Sequence, residues 1–158
     1  MSLQSPINSD HQLARLLQIG VVLEEVVEAR AAKHADTGDL GDDVRAFLRE
    51  AAAESAIHRE RLDELIGDLE ADSVPFDDVK ELVEERYDTG SDFDGVLYDQ
   101  LCNEETAYKF YDDLIEVLEA ADASFSVDRE EVLSVLREIR AEEEEGVEEV
   151  TALMEAKG

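Results

Sequence analysis

The sequence has no tryptophan, one cysteine, two prolines and eight glycines, and only 6% of its 158 residues are aromatic. So few turn-forming and aromatic residues exclude a sandwich or barrel of many short strands. An apolar content of 44% excludes a chain too polar to pack a core. The lone Cys102 has no intramolecular disulfide partner, and no CxxC or Cys/His cluster of zinc-finger type occurs. No apolar run approaches the ~20 residues of a membrane span, and no basic-then-apolar leader opens the chain, so a cytoplasmic location is expected. Lysine is scarce as well: Lys33, Lys80, Lys109 and Lys157 stand beside a larger number of arginines.

What is abundant is acid. Against 14 basic residues stand 43 Asp and Glu, a formal net charge of -29. Nucleic acids and anionic membranes carry the same sign and are excluded as ordinary partners. The charge is spread along periodic apolar segments instead of being gathered in one block, which disfavours an acidic tail or a DNA mimic. Many carboxylates with little lysine is similar to the composition of proteins that work in molar salt, where self-repulsion is screened within a few ångströms. Most of the acids are therefore read as halophilic solvent adaptation.

At 17.6 kDa the chain has room for one packed domain. Residues 1–8 read as an N-terminal extension and 9–156 as the domain. Ser9 and Asp10 are placed to cap a helix with Leu13, Leu16, Leu17, Gly20, Leu23, Val27 and Ala31 on one stripe, ending near Asp36. A second helix, from about Gly41 to Leu69, carries Val44, Leu48, Ala51, Ser55, His58, Leu62, Leu65 and Leu69 in alternating steps of four and three. Ser73-Val74-Pro75-Phe76 reads as the start of a short helix reaching Tyr87. A third long helix after Ser91 has Leu97, Leu101, Glu104, Tyr108, Tyr111, Ile115 and Leu118. The fourth, from Asp128 to about Glu155, has Val132, Leu136, Ile139, Glu143, Val147, Val150 and Met154, with Asp128 and Glu131 spaced as a capping box. Two helical hairpins separated by about twenty residues predict an all-α antiparallel four-helix bundle with one long crossover containing the short helix.

Each long helix carries an acid or a histidine on or beside its core stripe near the midpoint: Glu24 and Glu25, then Glu54 and His58, then Glu104 and Glu105, then Glu143. A carboxylate buried without compensation costs several kcal/mol, so four at one level of a bundle call for cations or protons. Carboxylate oxygen and imidazole nitrogen suit iron or manganese. His11 and His34, near helix ends, read as ordinary surface residues, Tyr108 and Tyr111 as core aromatics, and Cys102 as a small filler. Glu142 to Glu145 reads as a solvated face with Glu143 turned inward.

Glu25 to Arg30, Ala52 to Leu62, Asn103 to Tyr111 and Arg140 to Val147 resemble the four helical segments of the ferritin-like superfamily, above all its rubrerythrin-type domain. The third segment repeats the family pattern of a glutamate followed seven residues later by tyrosine, Glu104 and Tyr111. The resemblance implies a ferritin-like fold and a metal set of Glu25, Glu54, His58, Glu104 and Glu143. It also implies one or two iron ions, or manganese, and a peroxide- or oxygen-reducing activity in oxidant detoxification or iron handling. Lacking the four cysteines of a rubredoxin-like part, the chain would draw on a separate electron donor, and a homodimer or larger assembly is the family expectation. Three positions depart from the pattern: Ser55 stands three before His58 where the family has Glu, Gly146 three after Glu143 where it has His, and Ala32 where a tyrosine is expected seven residues after Glu25. The alternative is a metal-free bundle with a vestigial site that serves as an interaction or structural module.

The acidic composition generates a first prediction: dialysis from molar KCl to low salt abolishes the helical circular-dichroism signal, and a spectrum indifferent to salt contradicts the halophilic reading.

Overall fold

The computed structural model describes residues 7, 9–36, 40–70, 95–122 and 124–157. They form four α-helices, α1 (Asp10–Ala35), α2 (Asp42–Asp68), α3 (Val96–Glu119) and α4 (Arg129–Lys157), and no strand is present among them. None of these helices is long and apolar enough to cross a membrane. The expected short helix around Ser73 to Tyr87 lies outside the described residues.

Local chemistry sets the helix ends. Ser9 caps α1, its side chain accepting from the Gln12 amide at 3.2 Å, and Lys33 and His34 sit in the last turn, where positive charge suits the helix dipole. The Asp128 carboxylate accepts from the amide of Glu130 at 3.1 Å at the start of α4. Gly95, with φ 118°, precedes α3 in a conformation that side chains with a Cβ rarely adopt. Ile7, read from sequence as part of an extension, is 2% exposed and belongs to the core.

α1 packs along α2 and α3 along α4, and the pairs meet through α1 with α3 and α2 with α4. At one end, the carboxylate of Asp10 on α1 accepts from the amides of Glu70, just after α2, and Ser126, between α3 and α4, at 3.1 and 3.0 Å. The Ser126 hydroxyl donates to it as well. At the other end, Arg30 and His34 of α1 reach Asp99 in the first turn of α3 at 2.6 and 2.5 Å. α1 thus runs antiparallel to both α2 and α3, and α2 ends at the opposite end of the bundle from the start of α3.

The core falls into two apolar clusters. The larger gathers Leu13 to Val27 of α1, Leu62 and Leu69, Ala107 to Leu118 of α3, and Val132 to Ile139 of α4. The smaller holds Ala35, Val44, Phe47, Leu48 and Val150. At Gly20 a Cβ would lie 3.1 Å from both Leu62 Cδ1 and Phe110 Cε2, so the bare backbone lets three helices close on one another inside the larger cluster. Along each of α2, α3 and α4 the stretch between the two clusters is occupied by buried polar residues: Ser55 and His58, then Gln100, Asn103 and Glu104, then Glu143. On α3 the expected Glu104, Tyr111, Ile115 and Leu118 are buried, while Leu97, Leu101 and Tyr108 are half-buried and Gln100, Asn103, Ala107 and Leu114 are buried in addition.

Asp10 ties three chain segments together, and its pKa lies below the usual carboxylate value, chiefly through the Ser126 hydrogen bond. A lowered folded-state pKa means that this contribution is present above the ordinary carboxylate pKa and is lost as pH falls through the depressed value. Asp10→Ala is expected to cost about 1 kcal/mol at neutral pH by the usual worth of such hydrogen bonds. The difference from the parent protein, followed by thermal melts, should shrink on acidification towards pH 3 and below.

Candidate metal centre

The midpoints of the four helices supply the buried polar layer. On α1 it is Glu24 that enters, fully buried, while Glu25 is half-buried and belongs to neither acid–histidine group described below. The adjacent acids lie about a quarter-turn apart on the helix, and it is Glu24 that reaches His58 of α2 and Tyr111 of α3. Of the two first-helix candidates, Glu24 is the one grouped with His58 and Glu143. On α2, His58 is fully buried and Ser55 nearly so, whereas Glu54 sits at the rim, 42% exposed. Glu104 and Glu143 are 5% and 3% exposed.

His58 is the hub. Its Nδ1 lies 3.1 Å from Glu143 Oε1 and 3.3 Å from Glu24 Oε1, and its Nε2 lies 2.5 Å from Glu142 Oε2 and 3.8 Å from Glu54 Oε1. The ring thus separates an inner group, Glu24, His58 and Glu143, from an outer one, Glu54, His58 and Glu142. Within each group the donor atoms lie inside 4.8 Å of one another. Burial by itself opposes a charge on His58. The hydrogen bonds to Glu143 and Glu24 and their negative charge outweigh it, and the pKa is pushed up to about 11.

The remaining contacts turn on the inner group. The Tyr111 hydroxyl, inside the core, donates to Glu24 Oε1 at 2.6 Å. The other oxygen, Glu24 Oε2, is buried and has no hydrogen-bond partner. The Glu104 and Glu143 carboxyl groups adjoin each other, and a hydrogen bond between them requires one of the two to carry a proton. Burial, and after it the charge of Glu24, holds the Glu143 carboxyl well above the usual range, and burial raises Glu104 too. Gln100 Nε2 donates to Glu104 Oε1 at 2.9 Å. At the rim, burial opposed by His58 raises Glu54 to about 7.

Of the five residues implied by the resemblance, His58, Glu104 and Glu143 are brought together in the interior and Glu54 at its edge. Glu142, Gln100 and Asn103 were missed. The acidic run concealed Glu142, and neutral amides give no signal in a search for charged core positions. Asp99 was missed likewise: it is buried and held by Arg30 and His34, so His34 is a hydrogen-bonding partner across two helices and not merely a surface residue. Cys102 is half-buried, and burial raises its thiol pKa.

Chemically, the layer is rich in oxygen donors, contains one imidazole and has a buried carboxylate oxygen without a partner. That donor set fits a divalent cation of the iron or manganese kind. Independently of any metal, His58 is the cationic partner of two buried carboxylates. His58→Ala in the presence of a chelator is therefore expected to cost about 3–5 kcal/mol, the usual penalty for a buried charge stripped of its partner. Urea denaturation of the two proteins measures it, and equal midpoints would show that His58 carries no such charge.

Comparison of the chain with protein-family models, with curated proteins and with solved structures found no match.

Proposed function

We propose that this chain is a ferritin-like metal–carboxylate protein of rubrerythrin-like type, acting in oxidant detoxification or iron handling. The observation that carries the reading is Glu24 Oε2, a carboxylate oxygen buried and unpartnered among Glu143, Glu104 and His58. An orphan acceptor in such a place is costly unless a cation or proton meets it. In this reading Glu24, His58 and Glu143 hold the first ion, Glu104 completes the inner set, and Glu54 and Glu142 offer oxygen for a second on the outer side of the imidazole. Bound iron would supply two-electron reduction of peroxide or oxygen, with manganese as the alternative ion.

The residues have their own tasks. Tyr111 fixes the Glu24 carboxylate by donating to one of its oxygens, which leaves the other for the cation. His58 presents Nδ1 to the interior while its opposite nitrogen is paired with Glu142. The apolar clusters on either side keep bulk water from the layer, which strengthens every charge interaction in it. The ferritin-like crossover belongs to the proposal and is supported by the opposite placement of the α2 end and the α3 start. So do a cytoplasmic location, a separate electron donor and a homodimer or larger assembly.

A second reading, a metal-free interaction or structural module, is favoured by the hydrogen bonding itself. An imidazolium between carboxylates, and a proton on one of the adjoining Glu104 and Glu143 carboxyl groups, would satisfy most of the layer without a metal.

Elemental analysis of protein purified in molar KCl, followed by thermal melts with and without Fe(II) or Mn(II), separates the two. The metal reading expects stoichiometric ion and, at a hundredfold excess over the dissociation constant, about 2.7 kcal/mol of added stability. Glu143→Ala should abolish that increment, read as the difference between metal-loaded and chelated forms of the variant, because loss of a His58 partner already lowers the stability of the chelated protein. No bound ion and no change in melting temperature would establish the metal-free module.

A further inference from the structure

A side chain at Gly146 on α4 would have to displace the Glu104 carboxyl group. A Cβ there would meet Oε2 of Glu104 at 2.5 Å, its Cδ at 2.6 Å and its Oε1 at 3.0 Å. Glu104 belongs to α3, yet its carboxyl group fills the space above a bare stretch of α4 and adjoins Glu143, nearly one turn earlier on that helix. The group is also held from its own helix. Gln100 donates to Glu104 Oε1 at 2.9 Å, and Gln100 Oε1 in turn accepts from Asn103 Nδ2 at 3.4 Å. Both amides are fully buried, an arrangement that is costly unless they are bonded. Glycine is among the poorest interior helix residues, and Gly146 lies deep within a 29-residue helix. The seat it makes for Glu104 accounts for its presence there.

We infer that Gly146 is a specificity-determining position for the buried site: by carrying no side chain it admits Glu104 from α3, so that the α3–α4 half presents only oxygen and His58 is the site's sole imidazole among the described residues. Gln100 is the positioning residue that keeps the Glu104 carboxyl turned towards α4. The inference rests on the metal reading above and adds to it a class of ion. Carboxylate oxygen suits manganous ion, whereas each added imidazole favours zinc. The arrangement therefore narrows the gap between manganese and zinc affinity that a site with more nitrogen would show. The unpartnered Glu24 Oε2 faces the same layer and supplies the independent indication of a cation.

The seat is tested without metal. In chelated protein Gly146→Ala should lower the melting temperature, although alanine normally stabilises a helix. In a Glu104→Ala background the same change should raise it. A rise in both backgrounds overturns the inference.

The specificity is tested by calorimetric titration of the chelator-stripped full chain with Mn(II) alone and with Zn(II) alone. Gly146→His is expected to raise the zinc-to-manganese affinity ratio at least about tenfold. Gln100→Met should weaken manganese binding about tenfold, the lower end of what loss of a residue supporting a metal ligand usually costs, and should weaken zinc binding less. Gly146→Ala serves in the same titration if the histidine variant does not fold, since expulsion of Glu104 should move the ratio in the same direction. Binding of both ions with an unchanged ratio in these variants overturns the inference and leaves the metal reading standing. Failure of the parent protein to bind either ion overturns both, whatever the melting temperatures of the alanine variants.

Discussion

The bundle depends on a single imidazole held in a layer of buried acid. His58 has carboxylates against both ring nitrogens, two from the interior and two from the rim. Charge burial of this kind is tolerated only where pairing and hydrogen bonding are nearly complete. Three helices contribute the groups nearest the ring, α1 through Glu24, α2 through His58 itself and α4 through Glu142 and Glu143. α3 closes the layer with Glu104 and with Tyr111. The apolar clusters supply the burial energy, and the polar layer decides which way round they are joined.

How much of this is legible in the sequence depends on the contrast each residue makes with its neighbours. Ser55 and His58 interrupt an otherwise apolar alternation, and Glu143 stands alone on a stripe running from Val132 to Val150, so both positions can be read directly. Glu24 and Glu25 cannot be told apart, because two adjacent acids straddle the stripe and a rotation of α1 by a fraction of a turn exchanges them. Glu142 is lost in a run of glutamates whose other members look identical in composition. α3 misleads more: its large residues, Leu97, Leu101 and Tyr108, suggest a stripe somewhat rotated from the one that is buried. The true stripe is marked by Gln100, Asn103 and Ala107, amides and a small side chain that periodicity arguments do not weigh.

Gly146 illustrates the same limit from the other side. Measured against the family pattern it is a missing nitrogen donor, and in the sequence alone it reads as a loss. In three dimensions the space is filled by a carboxyl group from another helix, so what looks like an absence on α4 is a rearrangement shared between α3 and α4. A motif read along one helix cannot report a carboxyl group that arrives from its neighbour.

The division of the core into two unequal apolar clusters has a consequence for alignment. If the α3–α4 hairpin slid by one helical turn, about 5.4 Å, along α1 and α2, Glu143 would leave His58 and its carboxyl group would be pressed against aliphatic side chains. Apolar surfaces alone tolerate such slippage, since one leucine replaces another at little cost. The acid layer makes the two hairpins commensurate at a single offset, in the way that a tooth fixes the position of a rack, and every donor atom inherits its place from that alignment.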